Sequence, residues 1–243
     1  MPRSSRKLEY HTKYPYPRNL TRRGFLRGAI KVASGILLDY KIEGKENLPK
    51  GGPLLIVGNH FSFLDSISPI HVTRYALEFI GDSEMPMAPG IVKFLPSIWG
   101  ALKITQGRPN LEAIRAAEAI LEQNGILAIF PEGHVHKPPL GNPLPGAAFL
   151  ALRLGVPIIP IGTYSEDDWN IFGTLTTKHR LARVVTRIGK LFGPLVVRDP
   201  NRVPAREEVN QAGQEIMEQI AQVLPESARG PYLLDANKVC EGC

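Results

Sequence analysis

Cysteine is nearly missing from this chain: of 243 residues only Cys240 and Cys243, in the terminal tetrapeptide CEGC, carry thiols. Two cysteines argue against a disulfide-built secreted scaffold, and one CxxC supplies only half of a zinc site. Also missing is an uninterrupted apolar run of bilayer-spanning length, because the best stretch, Arg18 to Leu38, is broken by Arg22, Arg23, Arg27 and Lys31. No repeat or low-complexity tract divides the sequence. With 43% hydrophobic and 21% charged residues it is globular and long enough for one large α/β domain.

Acidic charge is scarce at the start. Residues 1–50 hold twelve Lys or Arg against Glu9, Asp39, Glu43 and Glu46, a surplus of +8, which leaves the rest of the chain at −2 in a total of +6. Such a segment suits an anionic membrane or a nucleic acid. Leu20, Phe25, Ala29, Ile30, Ala33, Ile36 and Leu37 recur at helical spacing, which favours a basic amphipathic helix lying in a membrane interface, its lysines and arginines toward headgroups, and not a nucleic-acid partner. The same segment, TRRGFLR, is similar to a twin-arginine export signal. Lys31 inside the apolar region and the lack of a small-residue cleavage site argue against that reading. We therefore divide the chain into a membrane-associating segment, 1–39, and a catalytic domain, 40–243, expected as a peripheral protein on the cytoplasmic membrane face.

Beyond this segment strands and helices alternate. PLLIVGN, LEFIGD, ALKIT, ILAIF, VPIIPIGT and RVVTRIGK read as strands. DSISPIHVTRYA, GIVKFLPSIWG, LEAIRAAEAILEQNG (capped by Asn110), GAAFLALRLG and REEVNQAGQEIMEQIAQVL read as helices. The alternation predicts an α/β fold with a mostly parallel central sheet and helices on both faces. Trp99 and Trp169 are expected in the core.

In a sheet of this kind functional groups gather beyond the carboxyl ends of the strands. His60 follows the strand LLIVGN directly, and Asp65 stands one turn later. An imidazole there can act as a base, with a carboxylate to orient it and stabilise the imidazolium. Spacing alone equally allows Asp65 to cap a helix beside a surface histidine. FPEG, Phe130 to Gly133, ends a second strand and places Glu132 on the same edge.

Taken together, NHxxxxD (Asn59, His60, Asp65), FPEG (Phe130 to Gly133) and VPIIPI (Val156 to Ile161) resemble, in order and spacing, the glycerophospholipid acyltransferase family typified by the lysophosphatidic acid acyltransferases. The resemblance implies transfer of a fatty acyl group from acyl-CoA or acyl-ACP to a hydroxyl of a lysophospholipid or related lipid. His60 would be the general base and Asp65 would orient it, while Glu132 and Gly133 would shape the acceptor site. No metal or cofactor is required, the thioester being a co-substrate. The partners implied are an acyl thioester donor, a lipid acceptor, an anionic membrane surface and, for the ACP form, acyl carrier protein. An imidazole of ordinary pKa would lose activity as pH falls through about 6 to 7.

Departures from the family pattern are informative. After FPEG the family continues with threonine, arginine and serine, where this chain has His134, Val135 and His136. Gln106 stands where an arginine is usual, Arg108 comes two places later, and Leu144 and Pro145 replace a basic residue before the next helix. Fewer guanidinium groups weaken the case for a phosphomonoester acceptor, although Lys103, Arg108 and Lys137 are candidates to compensate. Two other classes are a non-catalytic membrane-surface lipid-binding protein and a metal-dependent hydrolase built on His60, Asp65, His134 and His136. The second lacks the usual two-histidine helical spacing.

Overall fold

The strand LLIVG is apolar at every position, as a strand covered on both faces must be, and in the computed structural model it occupies the middle of the molecule. Residues 9–81, 85, 88, 90–103, 111–167, 171–199 and 202–232 are described. The strands are β1 (Leu38–Glu43), β2 (Leu54–Gly58), β3 (Leu77–Gly81), β4 (Leu102–Lys103), β5 (Ile126–Ile129), β6 (Ile158–Ser165) and β7 (Ala182–Ile188), joined in one sheet in the order β1-β7-β6-β2-β5-β3-β4. From β6 to β4 all neighbours run parallel. β7 is antiparallel to β6 and β1 is parallel to β7, so these two run against the other five. The expected α/β architecture is present, with an edge of reversed strands.

Residues 9–13 are helical, and after them come α1 (Leu20–Leu37), α2 (Phe63–Val72), α3 (Leu95–Trp99), α4 (Leu111–Glu122), α5 (Pro145–Leu154), α6 (Ile171–Lys178) and α7 (Arg206–Gln222). Alternate residues of β2 feed opposite layers, as a period of two requires. Leu55 and Val57 pack with Ile120 of α4, Leu150 of α5 and Ile216 of α7. Leu54 and Ile56 pack with Ile70 of α2, Trp99 of α3 and, at the margin, Leu26 and Ile30 of α1. Trp99 is a core residue. Trp169, Asn110 and CEGC lie outside the described residues.

The first helix forms where the periodicity places it, but its arginines do not all face outward. Arg23 is buried with its guanidinium on both oxygens of the buried Glu78 at 2.6 and 2.8 Å, and it donates to the Trp99 carbonyl at 3.1 Å. Arg18 donates to the same carboxylate and, at 2.6 Å, to the Gly100 carbonyl. Arg27 reaches the carbonyls of Ile70 and Tyr75. A buried carboxylate on β3 needs cations, and this helix supplies them. Arg22 and Lys31 remain exposed, as do Phe25 (77%), Val32 (63%) and Ile36 (66%), so apolar side chains occupy the outward face.

β1 and α6 were not foreseen in the sequence, nor were the helical residues 9–13 and the short 3-10 turns Lys45–Asn47 and Glu226–Ala228. β1 begins at Leu38 and joins the segment before residue 40 to the sheet.

Candidate active site

The site is assembled where β2 and its neighbour β5 end. Gly58 closes β2 because a Cβ there would come within 2.8 Å of the Ile161 carbonyl oxygen and 3.4 Å of the Phe130 ring. The side chain of Asn59 then extends the β2–β6 ladder, donating to the Thr163 carbonyl and accepting from the Thr163 N–H, both at 2.8 Å. The motif asparagine is thus bound within the sheet edge, and His60 emerges one residue later. Its ring stacks on Phe130 at 4.6 Å and lines a cavity of about 1360 Å³.

Asp65 is buried in the first turn of α2. Its Oδ2 accepts the Ser62 N–H at 2.6 Å, and Ser62 Oγ accepts the Leu64 N–H at 3.0 Å, so the carboxylate takes part in a capping box. Capping uses one oxygen. Asp65 Oδ1 and His60 Nδ1 are both buried without a hydrogen-bond partner among the described residues, and these are the two atoms that a proton shared within a His–Asp pair would join. That bond is not made in this structure. Burial accordingly acts on each group separately. It pulls the His60 pKa down to about 4, helped by the nearby rings of His136 and His134 and opposed by the Ser62 backbone. It also pushes Asp65 well above the usual carboxylate range against the N–H groups of Ser62 and Phe61, with the charge of Glu132 adding to the rise. The acid limb at pH 6 to 7 expected of an ordinary imidazole therefore moves downward, because a buried ring resists charging.

Glu132 is buried and fully engaged by the chain itself. Its Oε2 accepts the His60 N–H at 2.7 Å, and its Oε1 accepts the Gly141 N–H at 2.8 Å and meets His136 Nε2. Both oxygens hold protein donors, so the carboxylate ties the β2 and β5 loops together. Gly133, at φ +73, holds a backbone conformation that a side chain would strain, and a Cβ there would also push aside Leu144 Cδ1. Gly133, His134, Val135 and Leu144 line the cavity beside His60. Lys103 ends β4 with an exposed side chain, and Arg108 and Gln106 lie outside the described residues. Sequence and structure thus bring His60, Asp65, Glu132 and Gly133 to one edge.

The cavity straddles that edge. Toward the α2 layer it is walled by Phe63, Ile70, Phe79, Leu95 and Trp99, all apolar. Toward α5 and α7 it meets Phe149, Leu150 and Val209, then the polar side chains of Arg206, Asn210 and Gln214. Arg206 is the single Lys or Arg on the wall among the described residues.

Sequence reasoning missed a chain of buried hydroxyls behind the site. Thr163 Oγ1 meets Thr186 Oγ1 at 3.0 Å, which meets Tyr40 OH at 2.6 Å, which meets Ser68 Oγ at 2.8 Å. Burial pushes the Tyr40 phenol up to about 12. Threonines inside otherwise apolar strand patterns were the one available signal. Among the described residues no group of three or more His, Cys, Asp or Glu side chains is arranged to hold a metal ion.

Comparison with known proteins agrees with this arrangement. The sequence pattern of the acyltransferase family matches residues 39–164, and the chain belongs to that family. Among curated relatives, a 1-acyl-sn-glycerol-3-phosphate acyltransferase of Borreliella burgdorferi is 23% identical over 155 residues, 60% of either chain. Another protein of that description, from Bacillus subtilis, is 26% identical over 110 residues, 45% of this chain and 55% of the relative. The chain thus spans less than two thirds of the length of these relatives. The crystal structure of the 1-acyl-sn-glycerophosphate (LPA) acyltransferase PlsC from Thermotoga maritima superposes with a TM-score of 0.53 at 19% identity, covering 91% of this chain and 97% of that one, and so shares the fold.

Proposed function

We propose that this protein transfers a fatty acyl group from a thioester, carried by coenzyme A or acyl carrier protein, to a hydroxyl of a lysophospholipid or related lipid. The observation that carries the reading is a part-buried His60 at the end of β2, opening onto a cavity whose wall is mostly apolar toward α2 and α3 and bears Arg206, Asn210 and Gln214 toward α7. The curated relatives are described as acting on 1-acyl-sn-glycerol-3-phosphate, which supports the lysophospholipid class. The apolar wall suits the fatty chain.

His60 takes the proton from the acceptor hydroxyl as its oxygen attacks the thioester carbonyl. The C–O bond forms, and the tetrahedral intermediate then collapses with loss of the C–S bond. The departing thiolate recovers the proton from the imidazolium. Asp65 Oδ1 and His60 Nδ1, each lacking a partner, join during this sequence, which pairs the two charges and moves both pKa values back toward ordinary ones.

Membrane contact belongs to the same reading. Phe25, Val32 and Ile36 on the outer face of α1 insert among lipid chains, each contributing roughly 1.5–3 kcal/mol if fully immersed, while exposed Arg22 and Lys31 meet anionic headgroups. No helix among the described residues is long and apolar enough to cross a membrane.

Incubation of the purified protein with a radiolabelled acyl thioester and a panel of lipid acceptors tests the reaction directly. Labelled diacyl product from the wild type and none from His60→Ala is the expected result. Turnover by folded His60→Ala at the wild-type rate removes His60 from the chemistry.

A further inference from the structure

His136 stands where the family pattern has a serine, and the acyl-transfer reading gives it no task. The histidine is nevertheless built into the site. Its backbone N–H donates to the His60 carbonyl at 3.0 Å. Its Nε2 meets Glu132 Oε1, and the other oxygen of that carboxylate accepts the His60 N–H at 2.7 Å. The peptide groups on both sides of His60 are therefore held, one by Glu132 and the other by His136, and the ring of His136 orients the carboxylate that holds the first. Phe61, next to His60, packs edge-on against the same ring at 5.6 Å. The position is a constrained one, since the His136 side chain is 22% exposed and Glu132 only 1%.

The ring also has a directional chemistry. Nδ1 faces the Lys137 carbonyl at 2.8 Å while Nε2 faces the carboxylate. Both partners are oxygens, and a proton on Nε2 serves the buried carboxylate. A serine could offer that carboxylate one hydroxyl, but it has no ring to pack against Phe61 or to reach the Lys137 carbonyl.

We propose that His136 is a positioning residue for His60, acting through Glu132: its ring and backbone hold the base in place. The proposal rests on the acyl-transfer reading for its catalytic consequence but not for its geometry. The ionisable groups around His60 are Asp65 from α2 and Glu132, His134 and His136 from the loop after β5.

Three variants separate the hold on Glu132 from mere occupancy of the position. His136→Gln keeps a donor for Glu132, His136→Leu keeps bulk against Phe61 but offers no donor, and His136→Ala removes both. Histidine carbon shifts followed by NMR against pH, with His60 assigned from His60→Gln, report the base without any substrate. The expected result is a His60 titration close to the wild type in the Gln protein and displaced from it in the Leu and Ala proteins, where the base is no longer held. In turnover assays kcat should fall roughly 10- to 100-fold in His136→Ala with little change in KM, because the base is misplaced while the substrates still bind, and His136→Gln should recover most of it. A His60 titration in folded His136→Ala that matches the wild type overturns the proposal. So does full turnover in His136→Ala. If the wild type transfers no acyl group to any acceptor, the reading of the reaction fails, and the titration still decides whether His136 positions His60. Should the Ala protein not fold, the Leu and Gln proteins carry the decision.

Discussion

At the scale of single residues, His60 couples burial to chemistry. With its pKa pulled down to about 4, the ring in the free protein is uncharged throughout the range where an exposed histidine titrates. The sign follows directly: the unprotonated form is the base, so kcat/KM should hold its plateau from pH 7 down to about 5 and fall only as pH approaches 4. A stopped-time assay on short-chain soluble substrates, buffered from pH 4 to 8, measures this. An acid limb centred near 6.5 would mean that His60 is exposed to water in the working enzyme. Asp65→Asn tests the partner. The amide can still accept the Ser62 N–H at the helix cap, so stability should change little, while turnover should drop by about 100-fold or more because no carboxylate remains to meet the imidazolium.

The placement of His60 and Asp65 at one strand end was legible in the sequence because the two are close in the chain, across one strand end and one helical turn. The downward shift of His60 was not, since it arises from burial and from His134 and His136, some 75 positions away and on a different strand end. Glu132 was placed correctly on the edge, but which donors fill its oxygens depends on Gly141 and His136 folding back over it.

At the scale of elements, α1 shows how far periodicity can be read. The spacing of apolar residues located the helix, but spacing cannot say which stripe faces the protein. That is settled by Glu78, a carboxylate on a buried strand whose need for cations draws Arg18 and Arg23 inward and leaves Phe25, Val32 and Ile36 outside. β1 escaped notice for a related reason, since only its pairing with β7 distinguishes LDYKIE from a connecting loop. The orientation predicts opposite consequences for the two stripes. Phe25→Ser with Ile36→Ser should leave thermal stability within about 0.5 kcal/mol and reduce cosedimentation with anionic vesicles several-fold. Arg23→Ala should do the reverse, costing roughly 3 kcal/mol in urea unfolding by stranding part of the Glu78 charge, with Arg18 left as its partner. Undiminished vesicle binding by the double-serine protein would show that the apolar stripe does not meet the lipid.

At the scale of the molecule, the charge on the cavity wall bears on which lipid the proposed reaction uses. A phosphomonoester asks for several charge-assisted donors, and the described wall offers Arg206 and the exposed His134 where the family pattern has an arginine at the position of Val135. A lysolipid with a phosphodiester headgroup, or one without phosphate, should therefore be acylated faster than lysophosphatidic acid at pH 8. Initial rates with matched acyl chains on the acceptors settle the order. A preference for lysophosphatidic acid at pH 8 that disappears in Arg206→Ala would assign that guanidinium to the phosphate.

The reversed strands at one edge also set an order of assembly during synthesis. The anchors of α1 on Glu78, Trp99 and Gly100 are all present once the first hundred residues have been made. β1, which follows α1 directly, pairs with Ala182–Ile188, and its Glu43 meets Arg187 across 144 residues. On a translating ribosome α1 can therefore be seated before the strand attached to it has any partner. For most of translation β1 is an open edge, and open edges recruit other chains. Stalled nascent chains ending before residue 182 should accordingly self-associate through β1, and a proline at Tyr40, which cannot donate to a ladder, should suppress that association.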